Sequence, residues 1–131
     1  MKNYDPVAPA IDALATEIID AAFAVHMALG PGLLESVYEA CICRELTLRN
    51  VVFRSQVHLP ITYKGIKIDA GLRLDLLVSE SVIVELKSCE QMLPVFEAQL
   101  LSYLKLTGLR LGLLINFKVP VIKHGIRRIV L

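Results

Sequence analysis

The chain has 131 residues, 55% of them hydrophobic and 21% charged, with a formal net charge of +1. That length is natural for one domain, and the apolar share is enough for a real core and too high for a disordered chain. The charge is uneven: residues 1–50 carry seven acids and three Lys/Arg, whereas residues 51–131 carry eleven Lys/Arg and six acids. A basic second half suits a polyanion partner, although ordinary domains show similar splits.

Cys41, Cys43 and Cys89 are an odd set with no CxxC spacing. They fit reduced thiols in a cytoplasmic protein, not a disulfide framework. The opening MKNYDPVAPAIDALATE lacks the basic-then-apolar pattern of a signal peptide. Ile11, Leu14, Ile18, Ile19, Ala22, Val25 and Leu29 recur at helical spacing, predicting a first helix over residues 8–29. Asp12, Glu17, Asp20 and His26 interrupt that segment, so it reads as amphipathic and not as a membrane span.

Gly30-Pro31-Gly32 stops this helix, and a second one is expected from Leu33 to Arg49. The period then changes to β, with turn signals at Lys64-Gly65, Asp69-Ala70-Gly71 and Ser79-Glu80-Ser81. A third helix opens at Pro94 and closes at Gly108. LRLGLLINF reads as a strand buried on both faces, and GIRRIVL as a last short strand. Short turns imply antiparallel pairing among the consecutive strands, and the third helix can cross over to a parallel strand. The expected architecture is α/β, in the order ααβββαββ, with a mixed sheet covered by helices on both sides.

The segment RLDLLVSESVIVELKS carries the chemistry. Alternation puts Leu72, Leu74, Leu76, Val78, Val82, Val84 and Leu86 on one face, and Arg73, Asp75, Leu77, Ile83, Glu85 and Lys87 on the other. A three-residue loop at Ser79–Ser81 pairs Val78 with Val82 and sets Asp75 across from Glu85. Like charges so placed repel, and burial worsens the repulsion. A divalent cation such as Mg²⁺ or Mn²⁺ would remove the penalty, and Lys87 beside it could orient a water or stabilise charge on a phosphate. The competing reading is a solvated ladder in which Arg73 pairs with Glu85 and Lys87 with Asp75.

Three further features bear on that choice. Glu35 and Tyr38 share a helix face, although an acid in the first turn also serves capping and the helix dipole. Gln99 and Tyr103 share a face of the third helix; a buried amide there would need a partner, and a half-exposed one would not. Lys105, Arg110, Lys118, Lys123, Arg127 and Arg128 follow the hairpin and could contact phosphates. His26, His58 and His124 are scattered, and His26 fits a packed or edge position. No Gly-rich phosphate loop is present, and the absence of Trp leaves a poor stacking surface for single strands.

The motif Gly32, Glu35, Tyr38 in GPGLLESVYE, followed in order by RLDLLVSESVIVELKS, FEAQLLSYLKLTG, LGLLINF and GIRRIVL, resembles the GxxExxY proteins from about Ile18 to Leu131. That family is grouped with the PD-(D/E)XK nucleases, so the resemblance implies a restriction-endonuclease-like fold. It implies Asp75 as the first acid, Glu85 and Lys87 as the E-x-K half, and Glu35 as the helical acid of the metal site. Gln99 and Tyr103 resemble the QxxxY helix motif of RecB-like nucleases. Leu74 stands where many members have proline before the first acid.

The reading that follows is a Mg²⁺- or Mn²⁺-dependent nuclease acting on nucleic acid, with DNA favoured. Asp75, Glu85 and the Leu86 carbonyl would ligate metal, and Glu35 would join directly or through water. Lys87 would position the nucleophile, and Gln99 and Tyr103 would orient the site. The chain has little beyond the core fold, so sequence specificity would come from a homodimer or a protein partner. The alternative is a catalytically silent module of the same fold that binds nucleic acid or a protein.

Overall fold

The computed structural model describes residues 6–131. Helix α1 (Pro9–Leu29) opens on a proline at its first turn, where the missing N–H costs nothing. It ends at Gly30, whose φ of 72° favours glycine and whose N–H donates to the His26 carbonyl. One face is buried: Ala15, Ile18, Ala21, Ala22, Val25 and His26. Helix α2 spans Glu35–Leu48 and buries Tyr38, Ile42 and Leu46, one helical turn apart each time. It starts two residues later than expected, because Leu34 is still extended at the N-cap.

Strands β1 (Phe53–His58), β4 (Arg73–Val78), β5 (Val82–Lys87), β6 (Leu111–Asn116) and β7 (Ile126–Val130) form one sheet in the order β1-β4-β5-β6-β7. Between β1 and β4, the strands β2 (Ile61–Tyr63) and β3 (Ile66–Ile68) form a separate two-stranded ribbon. With that ribbon set aside, the element order is the expected ααβββαββ. Val78 pairs with Val82, as a loop of Ser79, Glu80 and Ser81 requires, and Ser79 and Glu80 both take positive φ. Helix α3 (Pro94–Thr107) carries the chain from β5 to its parallel neighbour β6, and Gly108 closes it in the left-handed conformation. All six residues of β6 are buried, the pattern of a central strand covered on both faces.

Helices α1 and α2 cover one face, where Ile18, Ile42, Leu76, Val84 and Phe117 belong to one apolar cluster. Helix α3 covers the other, where Leu77, Ile83, Leu100, Leu104 and Leu114 form a second. This mixed α/β sandwich has the restriction-endonuclease-like architecture.

Strict alternation along β4 fails at one place. Leu76 and Val78 lie in the first cluster, but Leu74 lies in the second, with Leu72 packed against it. In β1, Phe53 packs on the first cluster and Val57 on the second. Both strands therefore change face between Ser55↔Leu76 and Val57↔Leu74, at the pair Gln56 and Asp75 that is missing from the ladder. Gln56 has φ 51°, a conformation a non-glycine residue adopts at a cost. The twist turns Asp75 out of the regular pleat.

Three of the basic residues that follow the hairpin are paired by folding. Arg127 reaches Glu97, Lys118 reaches Glu90 and Arg128 reaches Asp12. These three are therefore not the free phosphate contacts that their order along the chain suggested.

Candidate active site

The ladder between β4 and β5 runs through Leu76↔Val84 and stops there. At the opening, Asp75 Oδ2 accepts the backbone N–H of Leu86 at 2.8 Å. A cleft of about 160 Å³ lies beside this bond, lined by Glu35, Ser36, Glu39, Gln56, Asp75 and Leu86. The N-terminal turns of α2 form one wall, and the twisted Gln56–Asp75 step forms another.

Glu85 stands next to Asp75 and is only 7% exposed. Its Oε1 is buried without a hydrogen-bond partner. Burial and then the Asp75 charge push its carboxyl up to about 9, while Lys87 pulls the other way. A buried carboxyl with an unpartnered oxygen is costly, and groups of this kind concentrate at functional sites.

Lys87 follows on the same strand and is partly buried. Its Nζ lies 4.5 Å from the centroid of the Phe96 ring on α3, a cation–π contact. Among the described residues, the ion pairs involve Arg49, Arg54, His58, Lys118, Arg127 and Arg128, so the ladder of Arg73 and Lys87 with the two acids does not form.

Tyr103 on α3 is buried, and its phenol is pushed up by burial, then by Glu85 and Asp75. It therefore remains a hydroxyl donor at neutral pH near both acids. Gln99, one turn earlier, is exposed, as the half-exposed alternative allowed.

Glu35 is the first residue of α2, exposed on the rim of the cleft. Tyr38, three residues on, holds the loop before it. Its hydroxyl donates to the Gly30 carbonyl at 2.5 Å and accepts the Leu33 N–H at 3.1 Å. Its ring stacks on Phe117 with centroids 4.3 Å apart. Ser88 Oγ donates to the Leu33 carbonyl at 2.6 Å, fastening the same loop to the end of β5. The spacing of Gly32, Glu35 and Tyr38 thus has a physical meaning: the tyrosine fixes the turn from which the glutamate projects.

Three cleft residues lie outside the sequence-based set: Ser36, Glu39 and Gln56. Glu39, one turn after Glu35, is partly buried and accepts the Gln56 side-chain amide at 2.7 Å. Its carboxyl is raised by burial, with Asp75 and Glu35 adding to the effect. The i, i+4 spacing from Glu35 was the available signal for Glu39. Nothing in the sequence marked Gln56, whose position depends on its backbone twist.

A family model of the PD-(D/E)XK nuclease superfamily matches residues 12–129. The chain belongs to this superfamily. No curated protein and no solved structure is significantly similar to it. Nucleases of this superfamily typically use a divalent metal. The donor chemistry fits such an ion: Asp75 and Glu85 are adjacent carboxylates, and one Glu85 oxygen is buried and unpartnered. Among the described residues, no three His, Cys, Asp or Glu side chains are grouped as a ready metal cage. No helix among the described residues is long and apolar enough to cross a membrane.

Proposed function

We propose that the protein is a Mg²⁺- or Mn²⁺-dependent nuclease that hydrolyses phosphodiester bonds, with DNA as the favoured substrate. The observation that carries this reading is the buried, unpartnered Glu85 Oε1 beside Asp75, which itself lines the cleft. Asp75, Glu85 and the Leu86 carbonyl would hold the ion, with Glu35 or Glu39 joining through water. Such an ion polarises a phosphoryl oxygen and lowers the pKa of a bound water.

The chain's own residues divide the remaining work. Lys87 is poised over Phe96 to donate to an attacking water or to a phosphate oxygen as charge develops on it. Tyr103 offers a hydroxyl proton to the same region. Glu39, held by Gln56, can accept a proton at the cleft wall. Tyr38 keeps the loop before Glu35 in place.

The second reading is a catalytically silent module of the same fold. Thermal melts of wild type and Glu85→Gln across a Mn²⁺ series, followed by plasmid nicking, separate the two. The nuclease reading expects metal-dependent stabilisation and nicking in wild type, with both lost in the variant. Equal melts at every Mn²⁺ concentration and intact plasmid would leave only the module.

A further inference from the structure

The β2–β3 ribbon takes no part in either core cluster, and residues 62–71 are exposed throughout. It nevertheless carries large apolar groups: Tyr63 is 60% exposed and Ile66 is 66% exposed. Lys64 and Gly65 turn the ribbon with φ of 47° and 82°, the two-residue turn that suits strand twist. Lys64 Nζ lies over the Tyr63 ring at 5.4 Å, and Lys67 projects from β3. At the foot, Arg73 is exposed and pairs in register with His58. Asp69, the one acid in the ribbon, is turned to the foot, where it accepts the Gly71 N–H and meets His58 at 3.3 Å. The outer ribbon therefore presents cations and an aromatic ring, with its carboxylate withdrawn.

We propose that the ribbon of Tyr63, Lys64, Ile66 and Lys67 enters the major groove of B-form DNA, with Lys64, Lys67 and Arg73 on flanking phosphates. The inference rests on the nuclease reading and narrows its substrate to double-stranded DNA. The ribbon grows directly from β1 and β4, the strands that carry Gln56 and Asp75 of the cleft. Three-residue strands reach ~10 Å, at ~3.4 Å per residue, which matches a major groove about 8.5 Å deep and wide enough for a two-stranded ribbon. The major groove of A-form RNA is too narrow to admit it. Charge complementarity favours a polyanion over a second copy of the chain, whose matching ribbon would bring like charges together.

The test is fluorescence anisotropy of a labelled DNA duplex, the matched RNA duplex and one DNA strand, across a salt series. The protein is the full chain carrying Glu85→Gln, with and without Lys64→Ala/Lys67→Ala or Tyr63→Ala/Ile66→Ala. Sedimentation of each protein runs alongside. The DNA duplex should bind most tightly. The double lysine variant should weaken it at least tenfold and flatten the salt slope by about 1.8, at about 0.9 per phosphate contact. The Tyr63/Ile66 variant should weaken binding with the salt slope unchanged. Unaltered duplex affinity and slope in both variants would overturn the proposal, as would equal binding of RNA duplex. Loss of a dimer in the ribbon variants would reassign the ribbon to self-association. Nicking by the Glu85 wild type, scored separately, shows whether the nuclease reading survives a failure of the ribbon.

Discussion

Asp75 Oδ2 accepts the Leu86 N–H at 2.8 Å across the point where β4 and β5 part, so a single carboxylate both closes the sheet and charges the site. These two duties separate by substitution. Asp75→Asn keeps an acceptor for Leu86 and removes the charge beside Glu85, whereas Asp75→Ala removes both. Without metal at pH 8, the asparagine variant should be the more stable of the two by roughly 1–3 kcal/mol, the cost of leaving a buried N–H unsatisfied. Urea unfolding of both variants measures the difference, and neither should cleave.

Stability without metal should fall as pH rises. Glu85 is raised from an ordinary 4.5 to about 9 in the folded protein. Between those values the folded state holds a proton that the unfolded chain has released. The stabilisation is complete below 4.5 and is lost progressively as pH climbs to about 9. Saturating Mn²⁺ replaces that proton, so melts from pH 5 to 9.5 should slope downward without the ion and flatten with it. At about a hundred times Kd the ion adds about 2.7 kcal/mol.

Tyr38→Phe keeps the stacking on Phe117 but removes the hydroxyl that joins Gly30 to Leu33. The expected loss is about 1–3 kcal/mol, because partly buried backbone groups are left without their partner. Chemical denaturation reads the stability, and cleavage should fall as well because the loop before Glu35 loosens.

Lys87→Met retains an apolar stem against Phe96 and deletes the ammonium. Its melting temperature should stay near wild type while cleavage drops ~10²-fold or more, the scale for removing a donor to developing charge. Tyr103→Phe should slow cleavage more than Gln99→Ala, since Tyr103 is buried near both acids and Gln99 is exposed. Single-turnover rates on one substrate rank the three variants.

Much of this arrangement was legible in the chain because local chemistry marks it. Pro94 and Gly108 punctuate α3 at its observed ends, and the Ser79–Ser81 loop fixes the Val78–Val82 register. The parallel crossover follows from a helix lying between two apolar strands. What escaped depends on backbone twist and distant pairing. The change of face at Gln56 and Asp75 put Leu74 in the second cluster, although a period-two pattern placed it with Leu76. Glu39 carries no mark in the sequence beyond its four-residue spacing from Glu35. Arg128 looked free for phosphate because its partner Asp12 lies at the far end of the chain.

The central claim is that Asp75 and Glu85 converge on a cation, and a crystal of the full chain soaked in Mn²⁺ tests it most directly. Anomalous density bounded by the Asp75 carboxylate, the freed Glu85 Oε1 and the Leu86 carbonyl is the expected result. Saturating Mn²⁺ that leaves that space without density, with Glu85 Oε1 still unpartnered, would contradict the account.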